Sequence, residues 1–402
     1  MTEFAILRAP SQVLFGAGMA AAAGRVAGAH GRRALVITDP TIAGTPGFET
    51  VRAALAEAGL EVVVFADAAV DVPRSAIDAA VALGRSATPD VIVAVGGGSV
   101  IDLAKVTALL LAHGGALEDY YAVQSVPAPV LPLIALPTTA GTGSEATPVS
   151  VVTDPKTQMK IGVASPHLIP RHALCDPLLT VGAPPTVTAH SGIDALSHAV
   201  EAYMAAQEEP TPELVLGRPQ VGKNLLSDTL ALSAAGHIAR NLVRAVEHGD
   251  DIEARTGMLY GSLLAGIAFG NSGVSAAHAL QFAVGAATHT SHGLGTGLLL
   301  PYVMEFNRPA RPTEIAELSA LMGGDAVESV HALGRQIGLP ASLAEIGVGE
   351  EDLRGMAEAS VGIKRLIDNN PRPLDADALE AILEAAWHGD PSRLRPVGMA
   401  TA

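Results

Sequence analysis

Residues 91–105 read VIVAVGGGSVIDLAK, which is a run of small and β-branched apolar residues, three glycines and a segment of helical composition. The apolar run at 91–95 predicts a buried strand, and a helix is expected to begin near Val100. Glycines in such a turn let a ligand approach the backbone, and free N–H groups at a helix N-terminus favour a phosphate. The segment predicts a strand–turn–helix unit that binds a phosphate, with a plain tight turn as an equal alternative.

The same alternation of strands and helices extends through the first half of the chain. Further β-branched runs at 34–38, 61–65 and 131–136 predict buried strands, and the segments between them have helical length. Strands that alternate with helices form a parallel sheet covered on both faces. After residue 184 the strand signals cease. Helices are predicted there at 188–206, 228–247, 251–269, 274–287, 313–322 and 375–387.

A chain of 402 residues is long enough for two or three domains. Residues 1–184 predict an α/β domain with a parallel sheet, and residues 185–402 predict an all-α domain; the motifs described below assign the nucleotide to the first domain and the metal and substrate to the second. We expect the ligand site in the cleft between the two domains, where such sites commonly form.

A second loop, PTTAGTGSE at residues 137–145, follows the predicted strand 131–136. Its hydroxyls and glycines suit the phosphates, ribose or nicotinamide amide of a dinucleotide, at the carboxyl ends of strands where open α/β sheets bind ligands. Asp102 and Lys105 belong to the first motif, although they would otherwise form an ordinary i, i+3 charge pair. The residues expected to bind the cofactor are Asp39, Gly96, Gly97, Gly98, Ser99, Asp102, Thr138, Thr139, Thr142, Ser144 and Lys160.

Asp39 follows the first clear strand and is placed to accept a hydrogen bond from a ribose 2′-hydroxyl. A cap of the next helix or turn would explain this aspartate equally well. At a ribose its carboxylate would repel a 2′-phosphate, so we expect NAD rather than NADP as the cofactor.

Asp194 and His198 are four residues apart in an apolar run without proline, so a helix would put the carboxylate and the imidazole on one face. His278 and His292 follow later in the chain. One carboxylate with three imidazoles suits a divalent ion such as Fe or Zn, with a position open for a substrate oxygen. Taken singly, each histidine is more often a hydrogen-bonded core residue.

Composition argues against several other classes of function. The chain has 25 Lys and Arg against 41 Asp and Glu, and the net charge of −16 argues against nucleic-acid binding. No uninterrupted apolar run of about eighteen residues predicts a membrane span. The single cysteine, Cys175, leaves no disulfide framework and no thiolate metal site. The first residues lack a signal-peptide pattern, so a cytoplasmic location is expected.

The assembled motifs resemble the iron-containing alcohol dehydrogenase family, also called group III. GGGSVIDLAK at 96–105 is similar to its pyrophosphate motif, PTTAGTGSE at 137–145 to its nicotinamide loop, and GIDALSHAVE at 192–201 to its first metal motif. HGL at 292–294 with Leu300-Pro301 resembles the last metal motif, and NPR at 370–372 resembles a late family signature. The resemblance covers nearly the whole chain.

This resemblance implies a ligand set, a cofactor and an assembly. The metal ligands would be Asp194, His198, His278 and His292, with Fe(II) usual and Zn(II) as the alternative. The cofactor would be NAD, and the protein would form a homodimer or a larger homo-oligomer.

Two features depart from the common family pattern. Many members have a second histidine four residues after the third metal ligand, but Phe282 stands at that position here, so a proton relay through it is unavailable to this chain. The loop RPQVGKN at 218–224 and the run FGNSGV at 269–274 look more like the hydroxyacid-oxoacid transhydrogenase branch. Arg218 and Lys223 are candidates to bind a substrate carboxylate, with a solvated loop as the alternative.

The motifs together predict reversible, metal-activated hydride transfer between a small alcohol and NAD, which gives an aldehyde or ketone. The expected partners are a small-molecule alcohol, aldehyde or hydroxyacid, with no nucleic acid and no membrane. One alternative is a transhydrogenase of the 4-hydroxybutyrate type, in which held cofactor shuttles hydride to an oxoacid. A lyase of the dehydroquinate synthase type would need more polar surroundings at the metal. An inert nucleotide-binding protein fits poorly with an intact ligand set.

Overall fold

A parallel sheet is the centre of the first half of the chain, in a computed structural model that describes residues 4–121, 126–154 and 160–395. Its strands and one further pair are β1 Gln12–Phe15, β2 Arg33–Ile37, β3 Glu61–Phe65, β4 Val91–Gly96, β5 Leu133–Pro137, β6 Val149–Thr153, β7 Lys160–Ala164 and β8 His172–Cys175. The six-stranded sheet has the order β1-β8-β5-β4-β2-β3, and all its neighbouring strands are parallel. β6 and β7 form a separate antiparallel pair.

Helices connect these strands and make up the second half. The first five are α1 Ala23–Gly28, α2 Pro40–Ala43, α3 Pro46–Glu57, α4 Arg74–Ala87 and α5 Gly98–His113. The others are α6 Pro185–Met204, α7 Pro212–Gly217, α8 Leu225–Glu247, α9 Ile252–Ser272, α10 Ala276–Thr288, α11 His292–Asn307, α12 Pro312–Met322, α13 Ala326–Gln336, α14 Leu353–Val361, α15 Lys364–Ile367 and α16 Ala376–His388. The described residues after Cys175 contain no strand, so the predicted fold class is confirmed.

The four predicted strands are present, and the differences have local causes. The run predicted at 131–136 becomes a strand only at Leu133, where pairing with Ile92 of β4 begins, and it extends to Pro137. The strands β1 and β8 were not predicted because four residues are too few for a periodic pattern. α11 was not predicted because glycines and an internal proline, Pro301, lower its apparent helix propensity.

The sheet is buried on both faces, as the β-branched runs predict. Leu35 and Ile37 of β2 pack into the apolar layer that includes α4 and α5, whereas Val36 packs into the opposite layer with α1 and α3. All of these side chains are at most 1% exposed. Alternate residues of each strand therefore anchor helices on opposite faces of the sheet. Because all six strands are parallel, their carboxyl ends lie along one edge of the sheet.

Both predicted loops lie at this carboxyl edge and touch each other. Gly96 at the end of β4 pairs with Pro137 at the end of β5, and the backbone N–H of Thr138 donates to the Gly96 carbonyl over 3.1 Å. Gly98 begins α5, and a Cβ there would lie 2.6 Å from the Thr142 side chain. A glycine is needed at this position because the second loop packs directly against the start of the helix.

No single described helix has the length and hydropathy to cross a bilayer. Only α9 and α10 would meet that test as a pair, and they are bent by 102° at their junction. Both helices contribute side chains to the apolar core, including Leu259 and Leu280, which are 0% exposed.

The crossing of α6 and α11 brings the expected metal residues of the two helices together. Gly293 in the first turn of α11 lies so close to α6 that a Cβ on it would be 2.0 Å from the His190 carbonyl oxygen and 3.0 Å from the Asp194 Cβ. One turn further along, a Cβ on Gly297 would lie 2.5 Å from the Ile193 side chain. Two glycines four residues apart thus allow α11 to approach α6 at backbone distance.

Gly293→Ala is therefore expected to lower the free energy of unfolding by roughly 2–4 kcal/mol, because the added methyl group overlaps backbone that cannot move without separating the two helices. The same separation should weaken metal binding between His292 and Asp194. Urea unfolding and a metal titration measure the two effects. Gly355→Ala in α14 is the matched control, since nothing lies within 4 Å of a Cβ there. Equal destabilisation by both substitutions would contradict the prediction.

Candidate metal and cofactor site

Three helices supply the candidate metal ligands. Asp194, His198 and Glu201 occupy positions i, i+4 and i+7 of α6, so their side chains share one face of the helix. His278 comes from α10, and His292 is the first residue of α11. The predicted helix at 188–206 is therefore present, and it carries Asp194 and His198 on one face as expected. The other candidate ligands come from distant segments of the chain.

Asp194, His278 and His292 meet in one place. The Nε2 atoms of both histidines lie 3.8 Å from Asp194 Oδ1, and one ligand atom from each of the three residues falls within 4.8 Å of the others. His198 lies beside this group, with its ring stacked on that of His278 at a centroid distance of 4.7 Å. Its Nδ1 is 3.3 Å from the Gly141 carbonyl oxygen, a contact that leaves Nε2 free.

The donor set fits a divalent metal ion, since one buried donor atom has nothing else to bind. His278 Nε2 has no hydrogen-bond partner, although the side chain is only 6% exposed. The other ring nitrogen, Nδ1, is 2.5 Å from Glu201 Oε2, so a neutral His278 ring would carry its proton on that side and present a bare Nε2. Buried polar atoms are rarely left without a partner, and a metal would supply the missing one.

The protonation states of Asp194, His198 and His292 also suit metal binding. Burial raises the pKa of Asp194, but the neighbouring His198, His292 and His278 outweigh it, so the pKa lies below its usual value. Desolvation lowers the pKa of His198 and of His292 to about 4. Near neutral pH the site therefore presents an ionised carboxylate and two neutral imidazoles, which are the forms that bind metal.

Glu201 was not predicted as a functional residue, although it stands in the quoted motif at 192–201. Its carboxylate is 2% exposed and accepts hydrogen bonds from Ser275 N–H at 3.1 Å, Ser275 Oγ at 3.0 Å and Ala277 N–H at 2.7 Å. Burial lowers the pKa of His278, but Glu201 and Asp194 outweigh it, so this pKa is raised. Glu201 thus orients the His278 ring and increases its basicity.

Glu201→Gln is expected to reduce metal affinity by about 10- to 100-fold, because the amide loses the charge behind His278 and turns an N–H group towards backbone donors. Competition with a chelator measures the affinity. Glu305→Gln is the matched control, since Glu305 is a 3% exposed carboxylate that pairs with Arg308 instead. Unchanged metal affinity in Glu201→Gln would contradict a role for this carboxylate in the site.

A second positioning contact reaches the Asp194 carboxylate. Thr296 lies one turn after His292 on α11, and its hydroxyl donates to Asp194 Oδ1 over 2.9 Å. Sequence reasoning missed this residue, since a threonine in an apolar helix carries no signal of its own. The contact holds the carboxylate in one orientation relative to both histidines.

The metal residues face a cleft that also contains the start of α5. Predicted cofactor residues on its wall are Gly98, Ser99, Asp102, Thr142, Ser144 and Lys160. Gly97 caps α5 without a side-chain hydrogen bond, so the N–H groups of the first turn are not covered by a cap. The cleft therefore joins a helix N-terminus suited to a phosphate and a metal-binding cluster.

Asp102 and Lys105 hold the segments that line this cleft in place through hydrogen bonds. Asp102 accepts hydrogen bonds from Ser144 Oγ at 2.6 Å and from Val151 N–H at 2.8 Å. Lys105 is fully buried and donates to the carbonyl oxygens of Thr147 and Val149, at 3.0 and 2.7 Å. The separation between the two charges is 3.9 Å, so their main contacts are with the loop after β5 and with β6.

Other predicted cofactor residues lie beside the cleft. Gly96, Gly97, Thr138 and Thr139 form the two adjoining loops behind its wall. Asp39 caps α2, where its Oδ1 accepts from the backbone N–H groups of Thr41 and Ile42 at 2.9 and 3.0 Å. The helix cap expected as an alternative is present. A contact from Asp39 to a ribose stays a prediction.

The structure does not bring the two predicted substrate cations to the cleft. Arg218 has a 57% exposed side chain and pairs with Glu208 at 2.9 Å. Lys223 pairs with Asp228 at 2.9 Å and Glu314 at 3.3 Å. The loop that carries them is hydrogen-bonded to the end of α9. Both cations are therefore paired with acidic groups of the protein outside the cleft. The solvated-loop alternative describes Arg218 well.

Residues from α9, α10, α15 and the loop before α8 also line the cleft. Phe282 lines it as predicted, with its ring 6.4 Å from that of His292. Arg365, Gln220 and Phe269 also line it, and none of the three was predicted. Arg365 comes from the short helix α15, and no spacing in the sequence links that helix to the metal motifs.

Comparisons with known proteins agree with this architecture. A family model described as iron-containing alcohol dehydrogenase matches residues 10–177, and the C-terminal model of the Fe-containing alcohol dehydrogenase family matches residues 188–387. Long-chain-alcohol dehydrogenase 1 of Geobacillus thermodenitrificans is 37% identical over 370 residues, or 88% of this chain and 89% of that protein. The NAD-dependent methanol dehydrogenase of Bacillus methanolicus is 34% identical, over 81% of this chain and 85% of that protein.

Solved structures match over nearly the full length. A 1,3-propanediol oxidoreductase superposes with a TM-score of 0.88 at 32% identity, covering 96% of this chain and 100% of that chain. An alcohol dehydrogenase from Oenococcus oeni gives a TM-score of 0.88 at 29% identity, over 96% and 100% of the two chains. The resemblance seen in the motifs is thereby confirmed. The chain belongs to the iron-containing alcohol dehydrogenase family, a family of NAD-dependent oxidoreductases.

Proposed function

We propose that this protein catalyses the reversible oxidation of a small alcohol to its aldehyde or ketone with NAD, at a divalent metal held by Asp194, His198, His278 and His292. Fe(II) is the metal proposed, with Zn(II) as the alternative. The observation that carries the proposal is the unpartnered Nε2 of His278, which lies with Asp194 and His292 in the same cleft as the start of α5.

The residues around the site fix geometry and exclude water. A bound divalent ion would lower the pKa of the alcohol oxygen and polarise the carbonyl in the reverse direction, while the nicotinamide accepts or returns the hydride. Thr296 and Glu201 hold Asp194 and His278 in position. The Phe269 ring stacks on His198 at 4.1 Å and 12°, and with Phe282 it makes this end of the cleft apolar.

The proton of the alcohol needs a route that does not use residue 282. Phe282 carries no titratable group, so it can only pack against the substrate. The Thr142 hydroxyl lines the cleft and accepts from the Ser144 N–H at 3.2 Å, which leaves its own hydrogen free to donate. We propose that the proton leaves through Thr142, a ribose hydroxyl or water, as part of general acid–base transfer.

The test is an assay of the metal-loaded protein with NAD and a panel of alcohols. Relatives are named for long-chain alcohols, methanol and 1,3-propanediol, so the panel spans these classes and adds hydroxyacids. NADH formation with at least one class is expected. Absence of NADH formation with every class, in protein that has bound metal, would contradict the proposal.

The transhydrogenase and the lyase, the two alternative reactions, each differ from the dehydrogenase in a way that can be checked. A transhydrogenase would convert a hydroxyacid and an oxoacid without added NAD, so the same panel run without NAD separates it from a dehydrogenase. A lyase of the dehydroquinate synthase type would require several polar and basic groups beside the metal residues, whereas this chain lines that end of the cleft with Phe269, Phe282 and Val274 and with the single arginine Arg365. A cytoplasmic location and a homodimer or larger homo-oligomer stay predictions, and light scattering of the purified protein tests the second.

A further inference from the structure

Arg365 lies in the wall of the cleft and has no acidic partner among the described residues. Within the described parts of the chain, its one side-chain hydrogen bond joins Nη1 to Gln220 Oε1, a neutral acceptor, over 2.8 Å. The other cation in the cleft wall, Lys160, pairs with Asp71 at 2.7 Å. Arg365 is exposed to solvent in the cleft, and no described protein group neutralises its charge in a protein with a net charge of −16.

Arg365 lies at the metal end of the cleft rather than at the cofactor end. Its helix α15 packs against α10 and α14, whereas the phosphate-binding turn belongs to α5. The helix α10, against which α15 packs, carries His278. The neighbouring residue, Leu366, also lines the cleft and is 2% exposed. A short substrate bound to Arg365 by one end would thus have its other end directed towards the metal residues.

The orientation of Arg365 is tied to the metal site through a chain of contacts. Gln220 accepts from Arg365 and donates its own amide to the Phe269 carbonyl over 2.9 Å. The Phe269 ring in turn stacks on His198. Gln220 therefore orients the guanidinium group of Arg365 without neutralising its charge. The remaining N–H groups of the guanidinium stay available to donate to an oxyanion.

We propose that Arg365 binds an anionic group of the substrate, a carboxylate or sulfonate at the end opposite the reacting hydroxyl. The substrate class is then an ω-hydroxyacid or hydroxysulfonate, and this inference rests on the proposed dehydrogenase function. NAD takes the hydride from the hydroxyl-bearing carbon, one proton leaves to solvent, and the anionic group is unchanged. A bidentate guanidinium–oxyanion contact would select such substrates over neutral alcohols of the same length.

The experiment compares ω-hydroxyacids with diols of equal chain length. Several chain lengths are tested, because the distance between the metal site and Arg365 determines which length binds best. Wild-type protein should show a kcat/KM for the best acid at least about 10-fold above that of its diol. Arg365→Gln should lower kcat/KM for the acid by about 10- to 100-fold, chiefly through KM, and change that for the diol less than about 3-fold. Hydroxysulfonates of the same lengths show which oxyanion is preferred.

Arg354→Gln is the control, because Arg354 is an exposed arginine on the adjacent α14 that pairs with Asp377 and Glu380. It should leave both substrate types unaffected. Equal effects of Arg365→Gln on acid and diol, or no effect on either, would overturn the inference while the dehydrogenase function stands. If no substrate is oxidised, the proposed function fails. Calorimetry of 4-hydroxybutyrate with the protein–NADH complex then tests Arg365 separately, since loss of binding in Arg365→Gln supports the inference and equal binding overturns it.

Discussion

Asp194→Asn is expected to lower kcat/KM for alcohol oxidation by at least about 10⁴-fold and to remove the bound metal, because it takes away the only anionic ligand of the set. The carboxylate oxygen Oδ1 is the atom that both His278 Nε2 and His292 Nε2 face at 3.8 Å. An amide of the same shape keeps the hydrogen bond from Thr296 but supplies no charge. Metal analysis and NADH formation measure the two effects.

The same substitution should leave the fold intact but somewhat less stable. The neighbouring histidines hold the pKa of Asp194 below its usual value, so near neutral pH the ionised carboxylate stabilises the metal-free protein, and the free energy of unfolding of the apoprotein should be modestly lower in Asp194→Asn. Asp377→Asn, which alters an exposed aspartate paired with Arg354, serves as the control. A variant Asp194→Asn that keeps stoichiometric metal and activity would contradict the assignment.

Ser99→Glu is expected to weaken NAD binding by roughly 100-fold or more. Ser99 lies in the first turn of α5 on the wall of the cleft, where uncapped N–H groups favour a phosphate. Two like charges about 5 Å apart at an effective dielectric constant of about 20 repel by about 3 kcal/mol, which is the penalty expected for a carboxylate beside a pyrophosphate bound at this turn. It would also occupy the N–H groups meant for the phosphate.

Ser99→Gln separates charge from size, since glutamine has the same shape as glutamate. It should weaken NAD binding by less than about 10-fold, because only steric crowding remains. Titration of NADH fluorescence measures both variants, and metal content should stay at the wild-type level in each. Equal NAD affinity in Ser99→Glu and Ser99→Gln would show that the phosphates do not lie at the start of α5.

The parts of the fold that sequence could predict are those encoded by local pattern. The run at 91–95 and the glycines after it define β4 and the start of α5, and the long apolar helices α6 and α8 were visible from composition. β1 and β8 were not, since a four-residue strand depends on its neighbours rather than on its own periodicity.

The residues of the site likewise divide into those that a local sequence pattern identifies and those that only tertiary packing brings together. Asp194 and His198 are recognisable because one helix carries both, and their resemblance to a metal motif pointed to His278 and His292. Glu201 shares that helix face, so the i, i+7 spacing could have identified it. Arg365 could not be identified, because only tertiary packing brings α15 to the cleft, whereas Arg218 and Lys223 were proposed from a loop whose charges are paired elsewhere.

The most direct test of the central claim is a titration of Fe(II), and separately Zn(II), into the metal-stripped protein with NAD and an alcohol present. The cluster of Asp194, His278 and His292, with His198 beside it, predicts that one ion binds per chain and that NADH formation rises in proportion to bound metal until the site is filled. Full activity in the stripped protein, or metal bound one per chain with no gain in activity, would contradict the account.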